Sequence, residues 1–508
     1  MVSPSFSFDD LFVLDLANNH QGSVEHGTKV IRAMGQEARS KGVKAGLKFQ
    51  FRQLDTFIHP DHKSGSDNKH IGRFLSTRLM PADYAVLLEE VKQAGLISIC
   101  TPFDEESVAI IEDLNIDVIK IASCSAKDWP LMERVAQAVR PIIISTGGLS
   151  TEDIDNLYSF FDHRAANFAF MHCVSIYPTP PEQCQLNRID EMRIRYPGIN
   201  IGWSTHEDPD DTMPVAVAVA KGASMFERHV GIPQETQALN AYSSTPEQVG
   251  RWMDAFSKAR SLCGALSRPT PSKVETDSIL DLQRGVYLRS GAKKGETLHR
   301  EDVYFAMPCA PGQLSSGAWT SGIKARQAFR KDEALTLDAI DLPDISDAAH
   351  IKKTVHKVRG LIHEAKIALN SEFEVEFSHH YGPKNFAKVG AVIITCINRD
   401  YCKKLIVQIP GQSHPKHFHP IKEESFQVLH GELDIEVDGR KRRLIPGDVQ
   451  LVLPGVWHSF STETGCIFEE ISTTHIVGDS VYQDPKINDL PMAARKTRVD
   501  HWGRYQVR

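Results

Sequence analysis

The sequence predicts an α/β protein: a (β/α)8 TIM barrel in the first half of the chain and a separate all-β barrel in the last quarter. Three observations carry this. Eight short apolar runs recur through the first 265 residues, with helix-like stretches between them. Each run ends in polar side chains. From about residue 370 the pattern changes to alternating strands broken by "DG" and "PGD" turns, as in "ESFQVLHGELDIEVDG" and "KRRLIPGDVQLVLPG".

The eight runs are "FVLDLA" (12–17), "GLKFQF" (46–51), "ISICTPF" (97–103), "DVIKIAS" (117–123), "PIIISTG" (141–147), "NFAFMHCVS" (167–175), "NIGWST" (200–205) and "ASMFERHV" (223–230). Runs this short, separated by amphipathic segments such as "DYAVLLEEVKQAG", predict repeated βα units and a parallel sheet. Eight of them in about 230 residues is the count and size of a (β/α)8 barrel. A doubly wound open sheet would place a GxGxxG after the first strand, and "LANNHQGS" is not that.

Composition narrows the function. A chain of 508 residues has room for two or three full cores. Its net charge of −7 gives no reason to expect nucleic acid or an anionic membrane as partner. No apolar run reaches the length of a membrane span, and "MVSPSFSFDDLF" lacks the basic and apolar regions of a signal peptide. The nine cysteines are scattered and free of CxxC pairs. Together these features predict a cytoplasmic protein with reduced thiols.

The strand ends carry the chemistry. Asn18, Asn19 and His20 follow the first strand, and Lys48 and Gln50 end the second. Thr101, Lys120 with Ser123, Ser145 with Thr146, Ser175 with Tyr177, Ser204 with His206, and Glu227 with His229 complete the ring. Residues i and i+2 of a strand point the same way, so each of the last two pairs and Lys48/Gln50 converge. A single Ser or His at such a place is ordinarily a helix cap or a satisfied core residue. Eight polar tips with two lysines would be poor core design without a ligand, because each buried charge needs a partner. Two lysines with several hydroxyls suit a small anion such as a phosphate ester. Two histidines beside acidic groups suit a divalent metal that polarises a carbonyl. Phosphate ester, carbonyl and metal together point to carbon–carbon bond formation.

"VLDLANNHQGS", "LKFQF", "CTPFD", "IKIASCS", "PIIISTGG", "MHCVSIYPTP", "IGWSTHE" and "GASMFERHVG" resemble, in order, the motifs of the sialic acid synthase family, over roughly residues 10–265. The resemblance implies condensation of phosphoenolpyruvate with an aldehyde-form sugar, giving a 2-keto-3-deoxy sugar acid and phosphate. It implies that Lys48, Thr101, Lys120, Ser123, Ser145 and Ser204 hold phosphoenolpyruvate, and that Gln50, Tyr177 and Glu227 face the sugar. His206 and His229 match the metal-binding histidines, for Mn or Mg, and Asp15 and Glu227 are the candidates for positioning and proton transfer. "QRGVYLRSGAKKGETLHREDVYFAMP" resembles the small antifreeze-like (SAF) domain of that family, which implies a domain-swapped homodimer.

The departures fall on the sugar side. Asp15 stands where the family usually has Glu. Ser125 replaces an acidic residue, with Asp128 nearby, Asn240 stands where another acid is expected, and Met307 replaces an arginine that addresses the N-acetyl group. Loss of that bidentate donor points away from N-acetylmannosamine as the acceptor.

In the last region, Gly411, His417-x-His419, Glu424 and Gly431 fit the first cupin motif, and "GDVQLVLPGVWH" fits the second and supplies His458. Three histidines and a carboxylate suit Mn, Fe, Co, Zn or Ni. "FSHHYGPKNF", "INRDYCKKL", "GQSHPKHFH", "KEESFQV", "GVWHSF" and "EEISTTH" resemble the D-lyxose isomerase branch of cupins, which implies interconversion of aldose and ketose. The expected organisation is barrel 1–266, linker 267–279, SAF domain 280–342, linker 343–369, cupin 370–495 and tail 496–508. A cupin that makes or binds the barrel's acceptor accounts for the fusion. A cupin isomerase on an inactive barrel, or a sugar-phosphate sensor, are the competing readings.

Overall fold

The computed structural model describes residues 6–204, 206–235, 238–265, 270–344, 346–500 and 502, in two compact units that divide after Thr270. In the first unit, β1 (Leu11–Asp15), β2 (Lys44–Phe51), β3 (Ile97–Pro102), β4 (Val118–Ile121), β5 (Ile142–Ser145), β6 (Phe168–Cys173), β7 (Ile201–Ser204) and β8 (Met225–His229) form a closed barrel in sequence order. All neighbours are parallel, and β1 pairs with β8 to close the ring. Thr205, read from the sequence as the end of the seventh run, lies outside the described residues.

The period of two sorts every strand. Leu11, Val13, Ile99, Val118, Ile143, Ala169, Met171 and Met225 form the cluster inside the barrel. Phe12, Leu14, Leu47, Phe49, Trp203 and Phe226 belong to the larger core shared with the helices. Continuing the inward parity by one step brings Asp15, Lys48, Thr101, Lys120, Ser145, Ser204 and Glu227 to the C-terminal ends. The helices are punctuated as the sequence suggests. Ser23 caps Val24–Lys41 by accepting from the His26 amide, and Gly42 ends it in the left-handed region at φ 63°.

The second unit holds two β regions. β9 (Gly285–Leu288) pairs with β11 (Val303–Ala306), while β10 (Thr297–Leu298), β12 (Ile323–Ala325) and β13 (Ile340–Asp341) form a small sheet around Val286, Leu298, Val303, Leu314 and Ile323. Beyond it run β14 (Glu374–Ser378), β15 (Ala391–Asn398), β16 (Tyr401–Gln408), β17 (Ser413–Phe418), β18 (Glu424–Gly431), β19 (Leu433–Val437), β20 (Arg440–Leu444), β21 (Val449–Val452), β22 (His458–Ser461), β23 (Cys466–Thr473), β24 (Val481–Tyr482) and β25 (Lys496–Val499). Among the described residues they form a seven-stranded sheet, β21-β18-β23-β16-β15-β14-β25, and a five-stranded sheet, β20-β19-β22-β17-β24.

Three segments differ from the linkers and tail expected. Residues 343–369 contain the helix Asp347–Glu364, whose Ile351, Val355, Val358 and Ile362 are buried in one cluster with Val375, Phe377, Val392 and Ile394. Their spacing of four, three and four is one helical face, so this segment is part of the C-terminal core. Residues 273–282, which begin in the expected first linker (267–279) and run into the expected SAF domain, form a helix with no buried side chain. The basic tail begins with β25, which pairs with β14 from Val375↔Val499 to Ser378↔Lys496. Residues 266–269 and 503–508 lie outside the described residues.

Candidate active sites

The barrel site is an interlocked set of opposite charges. Asp15 faces Lys48 on β2 and His229 on β8 in the strand register. Lys48 Nζ lies 3.0 Å from Asp15 Oδ2 and 2.6 Å from Glu227 Oε1, and Lys120 Nζ lies 3.3 Å from Glu227 Oε2. Lys120 also donates to Ser145 Oγ. These four charged groups are buried. Burial opposes the charge on Lys48, yet Asp15 and Glu227 hold its ammonium well above the usual lysine range. Burial likewise opposes ionisation of Glu227, but Lys120 and Lys48 keep it ionised. Lys120 is pushed down by burial, with Lys48's like charge adding to it against the pull of Glu227.

His206 and His229 sit beside this set, their ring centroids 5.5 Å apart. The His206 Nδ1–H donates to Val174 O at 3.1 Å, which leaves Nε2 with its lone pair. Burial, then the neighbouring His229, lowers the His206 pKa to about 3, so the ring is neutral, as a metal ligand must be. His229 Nε2 lies 3.4 Å from Asp15 Oδ2. Two imidazoles and a carboxylate suit a divalent ion that leaves positions for substrate oxygens. Tyr177 packs on His206 at 4.3 Å, and Tyr242, which the strand pattern did not single out, packs on both His229 and Tyr177 at 5.2 Å.

Other sequence-marked residues divide between mouth and scaffold. Gln50 Nε2 donates to Asp15 Oδ2 at 3.2 Å, and Thr101 Oγ1 is buried with no hydrogen-bond partner. Ser204 is buried at the end of β7. Ser123 Oγ accepts from the Gly147 amide at 2.9 Å. A Cβ on Gly147 would stand 2.5 Å from Ser175 Oγ and 2.8 Å from Ser123 Oγ, so only glycine lets these hydroxyls approach the loop. Asn19 is structural, donating to Val230 O at 2.8 Å and Ser243 Oγ at 3.0 Å. Asp128, the acid near Ser125, caps the helix Trp129–Gln137 by accepting from the Leu131 amide at 3.3 Å. Asn240 Oδ1 accepts from the Tyr242 amide at 3.2 Å.

The second site lies between the two C-terminal sheets. His417 on β17 pairs in register with His458 on β22, which brings sequence-distant residues together. Among the described residues, His417, His419 and His458 are the one group of three or more possible ligands whose donor atoms all lie within 4.8 Å of one another. Each Nδ1–H is taken by a backbone carbonyl: Pro415 O at 3.0 Å, Asp479 O at 3.1 Å and Val456 O at 3.2 Å respectively. The three Nε2 lone pairs are thereby left for a metal. Glu424 on β18 joins them, with Oε1 3.4 Å from His419 Nε2 and Oε2 3.3 Å from His458 Nε2. Burial, then neighbouring His458, holds the His417 pKa well below the usual histidine range. A divalent cation fits this donor set, with positions left for ligand oxygens.

Comparison with known proteins agrees with both halves. The NeuB family model matches residues 35–267, and the cupin domain model matches residues 405–468. The crystal structure of a putative spore coat polysaccharide biosynthesis protein E from Chromobacterium violaceum is 43% identical. It covers 66% of this chain and 100% of its own, at a TM-score of 0.63. Spore coat polysaccharide biosynthesis protein SpsE of Bacillus subtilis is 26% identical over 352 residues, 64% of this chain and 92% of its own. The N,N'-diacetyllegionaminic acid synthase of Legionella pneumophila is 24% identical over 336 residues, 62% of this chain and 91% of its own. No helix among the described residues is long and apolar enough to cross a membrane. With the family's motifs at the ends of a closed eight-stranded barrel, and a relative matched over its whole length, the chain belongs to the NeuB family and carries a C-terminal cupin domain.

Proposed function

We propose that the barrel condenses phosphoenolpyruvate with an aldose to give a 2-keto-3-deoxy sugar acid and phosphate, and that the cupin domain binds or isomerises a sugar. The observation that carries the reading is the charge set Lys48–Glu227–Lys120, with Ser145 and the unpartnered Thr101 hydroxyl, beside two neutral histidines. Buried ion pairs of this kind exchange partners when an anion arrives, because the substrate's oxygens replace the carboxylates as acceptors.

In this scheme Lys48, Lys120, Ser123, Ser145, Ser204 and Thr101 hold the carboxylate and phosphate of phosphoenolpyruvate. Gln50 and Tyr177 address the sugar. A divalent ion on His206 and His229, Mn or Mg, would supply polarisation of the aldehyde oxygen. C3 of phosphoenolpyruvate attacks the aldehyde carbon, water adds at C2, and the C2–O bond to phosphate breaks. Asp15, in reach of His229 and Lys48, takes the proton of that water, and Glu227 fixes the two lysines. The region around β9–β13 serves as a SAF-like arm carrying Met307 in a swapped homodimer. Incubation with phosphoenolpyruvate, Mn²⁺ and an aldose panel including N-acetylmannosamine tests the scheme. A product whose mass is that of the aldose plus pyruvic acid is expected, with equimolar phosphate. Absence of any such product across the panel rejects it.

A second reading, a barrel that binds but does not turn over, draws on Ser125, Asp128 and Asn240. The acid nearest Ser125 is engaged in a helix cap, and Asn240 in a turn.

A further inference from the structure

The cavity beside the cupin histidines continues to a second set of charges. Its wall includes Lys404, Lys422, Glu470, His475 and Lys496. Lys404 Nζ and Lys422 Nζ both donate to Glu470 Oε1 at 3.0 Å, and Ser472 Oγ donates to the same oxygen at 3.1 Å. Lys422 also pairs with Glu424. Lys496 pairs with Glu376 Oε1 at 2.7 Å, and Arg498 Nε lies 3.5 Å from Oε2 of the same carboxylate. His475 Nδ1 lies 3.3 Å from Lys404 Nζ. Lys404, His475 and Lys496 also line an adjoining open cleft of ≈ 770 Å³, against ≈ 50 Å³ for the cavity itself, so they stand where a solute enters; the cleft's outer wall adds Arg498 and the carboxylates Glu372, Glu374, Glu376 and Asp500.

At the inner end of this wall, next to the histidines, the charges do not balance once a cation is bound. Glu424 is then committed to the cation with the three histidines, and Lys422 keeps only its share of Glu470. Three ammonium groups then face Glu470 and Glu376, and Arg498 draws on the second. Lys404, Lys422 and Glu470 are buried, where an uncompensated ammonium is costly because little water reaches it. A neutral sugar offers only dipoles to this end of the cavity.

We infer that the cupin site takes an anionic sugar, one bearing a carboxylate or a phosphate. The anionic group lies at the Lys404–Lys496 end and a hydroxyl or carbonyl oxygen faces His417, His419 and His458. This rests on reading the histidine cluster as a metal site, and not on the cupin being an isomerase. The two sources of negative charge have different meanings. A sugar acid is the kind of product proposed for the barrel, whereas a sugar phosphate would be a precursor delivered to it.

Calorimetric titration of the Mn²⁺-loaded full chain with a hexose 6-phosphate, a 2-keto-3-deoxy sugar acid and the neutral parent hexose tests the inference. Because the barrel is itself proposed to bind anions, the difference between the wild type and Lys496→Gln is the readout. One anionic probe is expected to bind at least ~10-fold more tightly than the neutral hexose, and Lys496→Gln and Lys404→Gln to weaken it about 10-fold with metal content unchanged. The preferred probe identifies the source. Should Lys404→Gln misfold, Lys496→Gln stays informative, because the Lys496 side chain is 17% exposed and less buried than that of Lys404. Equal affinity for the neutral hexose, or unchanged anion binding in Lys496→Gln, overturns the inference. A wild type that retains no metal at His417 removes its premise and so rejects it. Tight anion binding without aldose–ketose interconversion upholds it and rejects the isomerase reading alone.

Discussion

The barrel holds its reactive groups against one another, whereas the cupin holds its histidines against the backbone. In the barrel, Asp15, Lys48, Glu227 and Lys120 form a chain of mutual ion pairs. In the cupin, Pro415, Asp479 and Val456 carbonyls orient His417, His419 and His458, and the Glu424 carboxylate approaches the Nε2 atoms of two of them. The first arrangement is free to exchange partners, and the second is fixed in advance by the backbone. Under the proposed function, the difference is one between a site that rearranges around an incoming anion and a site that retains its ion.

The sharpest way to break the comparison is to remove one member of the exchanging set. Lys48→Met should lower phosphate release from phosphoenolpyruvate by ~10³-fold, because an oriented donor to the substrate is lost. Cupin metal content, measured by elemental analysis, should not change. Equal activity in this variant would remove Lys48 from the anion site. Next in size is the buried pair Arg228–Glu207, 2.7 Å apart beside the segment that carries His206. Arg228→Met alone should cost ~3–5 kcal/mol in denaturant unfolding, and adding Glu207→Leu should recover most of it, since a lone buried charge is worse than none. Denaturation midpoints that fail to recover would mean that Arg228 matters for its packing on Trp252.

Gly147→Ala sharpens the account of the loop. The added methyl displaces Ser123 and Ser175, and kcat/KM for phosphoenolpyruvate should fall about 10–100-fold with little change in stability. A separate effect, on stability alone, is acid sensitivity. Burial, chiefly, lowers the pKa of His20 to about 4 and of His380 to about 3, so both rings are neutral in the fold. Unfolded chains bind these protons near pH 6.5, so the unfolded state holds more protons between 6.5 and the folded values. Stability is therefore full above pH 6.5 and falls as pH drops, by ~1.4 kcal/mol per unit for each such histidine. Unfolding midpoints that are flat from pH 7 to 5 would contradict this.

The barrel was legible because a strand repeats every two residues. Once "GLKFQF" and "ASMFERHV" are strands, Lys48 with Gln50 and Glu227 with His229 must share a face, and they do. Gly147 and Tyr242 were not legible. A glycine after a serine-threonine pair carries no mark of a close approach, and Tyr242 reaches the histidines from a loop after the last strand. In the cupin, motif spacing marked His417, His419, Glu424 and His458. It could not mark Lys404 and Glu470, which meet because β16 pairs with β23 across 66 residues of chain. The helix Asp347–Glu364 read as a connection because polar residues dominate it, and only its four-residue apolar face shows that it packs.

The measurement that tests the central claim is phosphate release from phosphoenolpyruvate with an aldose and, separately, with its matching ketose, in the wild type and in His417→Ala. The account predicts release with the aldose in both proteins, and with the ketose only when His417 is intact. Release from the ketose in His417→Ala, or loss of aldose-driven release in that variant, would contradict a division of labour between the two sites.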